Sequence, residues 1–408
     1  MKKISFILFF ASILLEIVYI FNNSAEQVSI DANTHMQMAL SSIAHGEYFY
    51  PNKHWINYLY SSTPGWINHI ILCLRLGLGT KSILYLNVLF NIGIGILLYK
   101  ITKKVFSDKI AYISLIIFSL YPTWIISPRI ANSEIPYIFY MMLGILLLLK
   151  NKWYLLFIAG ICFAIANWIR PFLPILLLLG IVILYLRFKK DWYSYFSFLG
   201  GTLISILAIG IITYNHIGHF EYQSVTQGIN MLMCAWDGTT GDFTAQICEK
   251  GYSGYIENMN SIPYWEKNTF WTHQAITWIL QNPIKWISFI PHRIITLFGS
   301  DTFYFVSYDN SCHIETILKH FPRLSTYGWL FIINHIYYYA ILITALLGIV
   351  LGLKKKNTTT IIIFLFLLAS TGATVLAPGI NRYHMVMMPF IIMLSAYFIN
   401  LKTYHHDS

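Results

Sequence analysis

Apolar blocks of about 18 to 20 residues recur along the whole chain, separated by short loops rich in lysine. A block of that length, wound as a helix, crosses the ~30 Å of hydrocarbon in a bilayer. The pattern predicts ten spans: 4–21, 82–99, 110–127, 134–149, 154–168, 172–186, 195–214, 329–353, 358–377 and 384–401. The division of 154–186 at Arg170-Pro171 keeps Lys150 and Lys152 on the same side as Arg187 and Lys189. Two polar stretches interrupt the series, at 22–81 and 215–328. The organisation expected is an N-terminal membrane region (1–214), an external or interfacial segment (215–328) and C-terminal membrane helices (329–408).

Within the first polar stretch, PGWINHIILCLRLGLG (64–79) is too short to span and carries Arg75, so it predicts an amphipathic helix lying along the interface. Within the second, YWEKNTFWTHQAITWILQNPIKWISFIPHRIITLF predicts helices against the membrane, broken at Asn282-Pro283 and at Pro291. Trp265, Trp271, Trp278 and Trp286 suit an interfacial belt, and residues 283–299 are also compatible with a dip into the bilayer. No internal repeat, P-loop or dinucleotide fingerprint is visible. Gly93-x-Gly95 lies inside a span with no strand before it, which is a helix-packing pattern.

Composition excludes a soluble protein. The 408 residues are 57% hydrophobic and 11% charged, against about 25% charged in soluble domains. The net charge of +10 does not point to nucleic acid, because the basic residues gather at span ends. Lys2, Lys3, Lys100, Lys103, Lys104, Lys109, Lys150, Lys152, Arg187, Lys189, Lys190, Lys354, Lys355, Lys356 and Lys402 all fall on one side if both termini are cytoplasmic. The opening MKKISFILFFASILLEIVYI has no small-x-small cleavage site after it and reads as a retained signal-anchor helix. The expected location is the plasma (inner) membrane of the cell, crossed many times.

Ionisable groups near membrane depth are costly, so each is a functional candidate. With this topology, Asp31, Arg129, Glu134, Arg170 and Arg382 all reach the extracytoplasmic face, although they are scattered along the sequence. A carboxylate there can serve as general base toward a hydroxyl. Arginines there can hold a phosphate through charge-assisted hydrogen bonds. A sugar carried on a polyprenyl phosphate needs both. Single residues also have simpler roles: an outer arginine can bind lipid headgroups, and Asp31 can cap the helix that follows it.

Taken in order, these segments resemble the GT-C superfamily of membrane glycosyltransferases. The similarity is to the bacterial branch related to dolichyl-phosphate-mannose protein mannosyltransferases and the lipid A aminoarabinose transferase. Asp31, His35, Ala39 and Gly46 resemble that family's first-loop motif, STPGWINHIILCLRLGLG its PPG-type helix, and SEIPYIFYMMLGILLLL its Ser-Glu signature. GICFAIANWIRPFLPILLL is similar to its Arg-Pro span, QGINMLMCAWDGTTGDF to its outer segment, and INRYHMVMMPF to its closing Arg-Tyr motif. The resemblance implies an all-α bundle of about ten transmembrane helices, with interfacial helices in the first outer loop and a small extracytoplasmic cap. It implies inverting transfer of a hexose or pentose from a polyprenyl-phosphate donor, with Asp31 as general base. Arg382, Arg170, Lys53 and His54 become donor-phosphate ligands, and His35, Glu134 and Tyr383 line the substrate cavity; Arg129 is a further donor-phosphate candidate from its position at a span end alone. Many relatives carry a second acid directly after the first. Ala32 stands there in this chain, which fits a single-base scheme without a metal.

His35, His45, His54 and His69 show no compact ligand spacing, so no metal cofactor is expected. The expected partners are the lipid-linked donor, membrane lipids and an acceptor (lipid, glycan or protein) that the sequence does not name. Cys73, Cys234, Cys248 and Cys312 fall on the outer side, and Cys234 with Cys248 would close a short disulfide loop in an oxidising compartment. Two other functions compete: a transporter or flippase of polyprenyl-linked sugar, and an enzyme like O-antigen ligase or polymerase. Transporters of this size often show inverted repeats and polar breaks at mid-span. Here the polar residues sit at span ends.

Overall fold

The computed structural model describes residues 1–22, 29–150, 152–188, 192–307 and 314–404; Lys189, Lys190 and Cys312 lie outside them. Among the described residues the chain is almost entirely helical. In order, the helices are α1 (Lys2–Asn22), α2 (Ile30–Ala44), α3 (Pro64–Arg75), α4 (Lys81–Val105), α5 (Asp108–Leu120), α6 (Pro122–Ile126), α7 (Glu134–Leu148), α8 (Trp153–Ile169), α9 (Leu173–Ile183) and α10 (Trp192–Ile217). They continue with α11 (Gln227–Met233), α12 (Tyr264–Gln281), α13 (Pro283–Ser288), α14 (Ile290–Phe298), α15 (Phe303–Val306), α16 (Ile314–His320), α17 (Thr326–Lys354), α18 (Thr358–Thr374) and α19 (Met388–Tyr404).

Each of the ten expected spans coincides with an apolar helix. Four of these, α1, α4, α10 and α17, are long and apolar enough to cross a membrane alone. The expected span 110–127 is not one straight helix: α5 and the segment from Pro122 to Arg129 meet at 61°. Pro122 has no amide hydrogen and ends the α5 ladder. The freed amide of Thr123 donates to Asn334 Oδ1 of α17 at 3.2 Å, so the break is satisfied inside the protein rather than by lipid. The remaining five apolar helices are shorter, between 10 and 17 residues. The expected division at Arg170-Pro171 is present, with α8 ending at Ile169 and α9 beginning at Leu173.

The lysine-rich helix ends share one face. Lys103 and Asp108 close the turn between α4 and α5 at 2.8 Å, and Thr359 at the start of α18 donates to the Val105 carbonyl at 3.2 Å. An apolar cavity of about 40 Å³ sits there, lined by Val105, Leu149, Ile183, Thr359 and Met393 among others. Glycine sets the approach of α8 and α10. A Cβ on Gly201 would stand 2.0 Å from the Phe157 carbonyl oxygen, and one on Gly160 would stand 2.2 Å from that of Phe198. Small residues let helix backbones touch where lipid supplies no hydrophobic drive.

The opposite face carries α2, α3 and a cap made from residues 218–307. The cap has its own small core of Ile229, Leu232, Ile247, Trp271 and Ala275. Trp271 is therefore a core residue rather than part of an interfacial belt, and its indole donates to the Gly254 carbonyl at 2.8 Å. Trp265 instead stacks on His219, and Trp278 donates to Asp237. The helices break at Asn282-Pro283 and before Pro291 as expected. In α14 the fully buried Arg293 donates to the carbonyls of Val375 and Cys234, both at 2.9 Å, tying the cap to the end of α18. The segment expected as an amphipathic helix forms α3, which buries Trp66, Ile67, Ile70 and Ile71 and leaves Leu72 and Arg75 exposed. Cys234 and Cys248 are free thiols rather than a disulfide. Cys234 caps α11 with its Sγ turned to the Asn230 carbonyl at 3.3 Å.

Candidate functional site

The loop from Arg129 to Ser133 is pinned from three sides. Asn87 of α4 donates to the Ile130 carbonyl (2.9 Å), Trp66 of α3 to that of Ala131 (2.7 Å), and Ser29 to Asn132 Oδ1 (3.1 Å). Ser29 is also the cap of α2, accepting from the Ala32 amide at 3.1 Å. Asp31 is thus relieved of the capping role that the sequence left open to it. Asp31 in the first turn of α2 and Glu134 in the first turn of α7 each sit at a helix N-terminus, where a carboxylate is favoured.

Gly65 then brings α3 onto the end of α8, where any Cβ would fall 2.9 Å from the Ile169 amide nitrogen. Immediately after Ile169 comes Arg170, and Pro171 stops the helix. Arg382 arrives from the 3-10 turn Asn381–Val386 that precedes α19.

The four groups form one alternating chain. Arg382 Nη2 lies 2.5 Å from Asp31 Oδ2, and its Nε lies 3.6 Å from Glu134 Oε1. Arg170 Nη1 contacts the same Glu134 oxygen at 2.6 Å and donates to Ser133 Oγ at 3.2 Å. The Tyr383 ring lies beneath both guanidiniums, 4.9 Å from Arg170 and 5.5 Å from Arg382, while Phe303 covers Arg382 at 4.9 Å. Exposure falls inward: the Asp31 side chain is 39% exposed and that of Glu134 only 1%. Asp31 is the member a polar molecule reaches first. Burial pushes its pKa up, but Arg382 chiefly, with His35 and Arg170, outweighs this and holds it below its ordinary value.

His35 follows Asp31 by one helical turn and is buried on the same side of α2. Burial drives its pKa down to about 4, so the ring is neutral at ordinary pH. Its Nε2 shares a hydrogen bond with Thr63 Oγ1 at 3.0 Å, and its Nδ1 has no protein partner. Thr63 holds φ +42, a left-handed conformation unusual for a β-branched residue. Strain of this kind persists where the surroundings impose it and clusters at functional sites.

No protein-family model matches the sequence, and no characterised protein matches it by sequence. The similarity is structural. The apo oligosaccharyltransferase of Archaeoglobus fulgidus superposes with a TM-score of 0.53 at 10% identity, covering 97% of this chain. The oligosaccharyltransferase AglB from the same organism, in complex with an inhibitory peptide and a dolichol-phosphate, gives a TM-score of 0.52 at 12% identity, covering 98%. This chain has the GT-C fold. It spans about half the length of those archaeal enzymes, 50% in each alignment. ArnT from Cupriavidus metallidurans, solved with undecaprenyl phosphate, aligns over 97% of this chain and 76% of its own length, with 11% identity and a TM-score of 0.39.

Two of the residues expected at the site, Lys53 and His54, lie away from it. In this GT-C bundle Arg129 is buried beside α1, its guanidinium 3.1 Å from the centre of the Tyr19 ring. Lys53 and His54 form a short 3-10 turn at the far end of α2, where His54 hydrogen-bonds Ser41 (3.3 Å) and stacks on His45. Ser41 is ten residues beyond Asp31, about 15 Å along the helix. Among the described residues, no three His, Cys, Asp or Glu side chains gather around a common point in a way that would hold a metal.

Other residues near the site had weak signals or none in the sequence. Tyr60 lies within electrostatic reach of Asp31, and burial pushes its hydroxyl up to about 12. The Tyr304 hydroxyl is buried without a protein partner, within electrostatic reach of Glu134 and Arg382. Glu221 was visible only as one acid among several in the outer segment. It is buried and joins the cap to the first loop, accepting from Ser61 Oγ (2.8 Å) and Tyr264 Oη (2.6 Å). The neighbouring backbone adds Val225 N to Ser61 O at 2.8 Å and Tyr264 N to Ile56 O at 2.9 Å.

Burial raises the Glu221 carboxyl to about 7, despite the two hydroxyl donors. The folded state therefore holds a proton that the unfolded chain releases near pH 4.3. The resulting stability is full below that value and is lost as pH rises through about 7. We expect the melting temperature of the purified protein to fall between about pH 4.5 and 7 and to level off above that. Glu221→Gln should remove the dependence and, at pH 8, stabilise by on the order of 2 kcal/mol. Identical pH profiles for the two proteins would refute this assignment.

Proposed function

We propose that this protein transfers a hexose or pentose from a polyprenyl phosphate to an acceptor on the extracytoplasmic face of the plasma membrane, with inversion and with Asp31 as general base. One observation carries the reading: the chain of contacts Asp31–Arg382–Glu134–Arg170, with Asp31 at its open end. The lysine-rich loops on the other face support a cytoplasmic location for both termini. The archaeal protein of like fold has been solved with a dolichol-phosphate, which agrees with a lipid-phosphate donor.

The electrostatics define the order of events. Two carboxylates and two guanidiniums balance, so the resting site is neutral. A donor phosphate diester brings one negative charge, and the guanidinium nearest the opening is that of Arg382. As Arg382 turns to the phosphate, Asp31 loses its partner, and its oxygen becomes available to an acceptor hydroxyl. Glu134 holds Arg170 throughout and steadies the second face of Arg382. The acceptor oxygen then attacks the anomeric carbon from the side opposite the phosphate. The bond from that carbon to the phosphate oxygen breaks, its electron pair passes to the phosphate, and the acceptor proton passes to Asp31. The products are a glycoside and a polyprenyl phosphate, whose added charge Arg382 and Arg170 stabilise. No step requires a metal. Neutral His35 donates to or accepts from a sugar hydroxyl without adding charge.

Two experiments test this reading. Cells lacking the gene should lose one glycoform and accumulate its lipid-linked sugar. The purified protein in detergent should transfer that sugar from the accumulated lipid. A flippase needs two compartments, so it would produce no glycoside in detergent; that result would reject transfer.

A further inference from the structure

Four consecutive residues, Ser300 to Phe303, touch three residues of the turn that carries Arg382 into the site, Asn381, Arg382 and His384. Asn381 Nδ2 donates to Thr302 Oγ1 at 2.6 Å and lies 3.3 Å from Ser300 Oγ. The Phe303 ring covers the Arg382 guanidinium at 4.9 Å. His384 Nε2 lies 3.3 Å from Asp301 Oδ1, while its Nδ1 contacts the Leu297 carbonyl at 2.9 Å. The arginine is thus clamped on both sides, one residue before and two residues after.

The clamp is anchored in turn to the membrane bundle. Asp301 is buried and accepts hydrogen bonds from Tyr121 and Thr123, at the 61° break between α5 and α6, and from Asn334 Nδ2 of α17 at 3.1 Å. A buried carboxylate is retained only when its lone pairs are filled, and this one is filled by four side chains from three separate parts of the chain. It does not reach Asp31, Glu134 or Arg170 by any ion pair or hydrogen bond among the described residues, so it takes no part in the chemistry above.

We propose that Asp301 is a positioning residue. Through His384, and through Asn381 held by its two flanking hydroxyls, it fixes the angle at which Arg382 meets a lipid phosphate. The inference rests on the reading of Arg382 as a phosphate ligand. The turn Asn381–Val386 is short and carries no long helix of its own to orient it. A guanidinium on such a turn would otherwise fold back onto Asp31 and Glu134 in several ways. Fixing both flanks leaves rotation of the Arg382 side chain as the main freedom, which is the motion the donor needs.

The test measures undecaprenyl phosphate binding to the full-length protein in nanodiscs, together with melting temperature. Asn381→Ala removes only the two side-chain hydrogen bonds and leaves Asp301 paired; it should stay folded and bind about tenfold more weakly. Asp301→Asn should weaken binding at least as much. Neither change should add to that of Arg382→Ala in the double variant, because all act through one guanidinium. Should Asp301→Asn fail to fold, Asn381→Ala and its cycle with Arg382→Ala decide the matter. Unchanged affinity in Asn381→Ala, or effects that add to those of Arg382→Ala, would overturn the proposal. If Arg382→Ala itself binds the lipid as well as wild type does, it is the phosphate reading that fails.

Discussion

Replacing Asp31 with Asn should reduce sugar transfer by about 10²–10⁴-fold, the usual contribution of a general base, while the protein stays folded and binds donor. Asparagine has nearly the same shape and is only partly buried here, so no cavity is created. What it lacks is basicity. It also releases Arg382 from its closest carboxylate, leaving Glu134 as that residue's anionic neighbour. Donor affinity should therefore be retained or become tighter, although the rate collapses. A substitution that merely disturbed the site would weaken both. The assay is transfer in detergent beside a lipid-phosphate binding curve; undiminished transfer would remove Asp31 from the mechanism.

The second large effect belongs to Arg382. Changing it to Gln removes the group that meets the leaving phosphate, and losses of about 10²–10³ in rate follow from deleting one such donor. It also changes the pH profile in a defined direction. In the free wild-type protein Arg382 is the main counterweight to burial at Asp31, holding the carboxyl below its ordinary value. The acid limb of kcat/KM should accordingly lie low. Without Arg382, burial dominates and the limb should move upward in pH, so the variant loses activity in mild acid where wild type keeps it. Arg170→Gln should have the smaller effect on this limb. Its deeper cost is structural, because it strands the fully buried Glu134 without its strongest partner, a loss of about 3–5 kcal/mol.

Much of this arrangement was legible before any coordinates. Hydrophobic blocks gave the ten apolar helices, and lysine placement gave their alternation. Together these predicted that Asp31 and Arg382, about 350 residues apart, would meet. Charges near membrane depth are informative because they are expensive to keep there. It was the resemblance, not this logic, that set Lys53 and His54 at the donor phosphate. They share a loop with Asp31, but the helix between them carries them about 15 Å away, and sequence proximity does not reveal that. The break at Pro122 was missed because its repair comes from Asn334 and Asp301, which lie in other segments. The clamp on Arg382 was missed for the same reason. Asp301 and His384 each look ordinary at a loop or span end, and only the packing of the cap against the turn before α19 pairs them. The free Cys234 shows the limit of spacing arguments: a disulfide needs a specific Cα and Cβ geometry that an interval in sequence cannot guarantee.

The most direct measurement is a structure of the protein with undecaprenyl phosphate bound. The phosphate oxygens should lie within hydrogen-bond distance of both Arg382 and Arg170, with Asp31 released from Arg382 and open to the acceptor side. A phosphate bound elsewhere, with the Asp31–Arg382 pair still closed at 2.5 Å, would contradict the account.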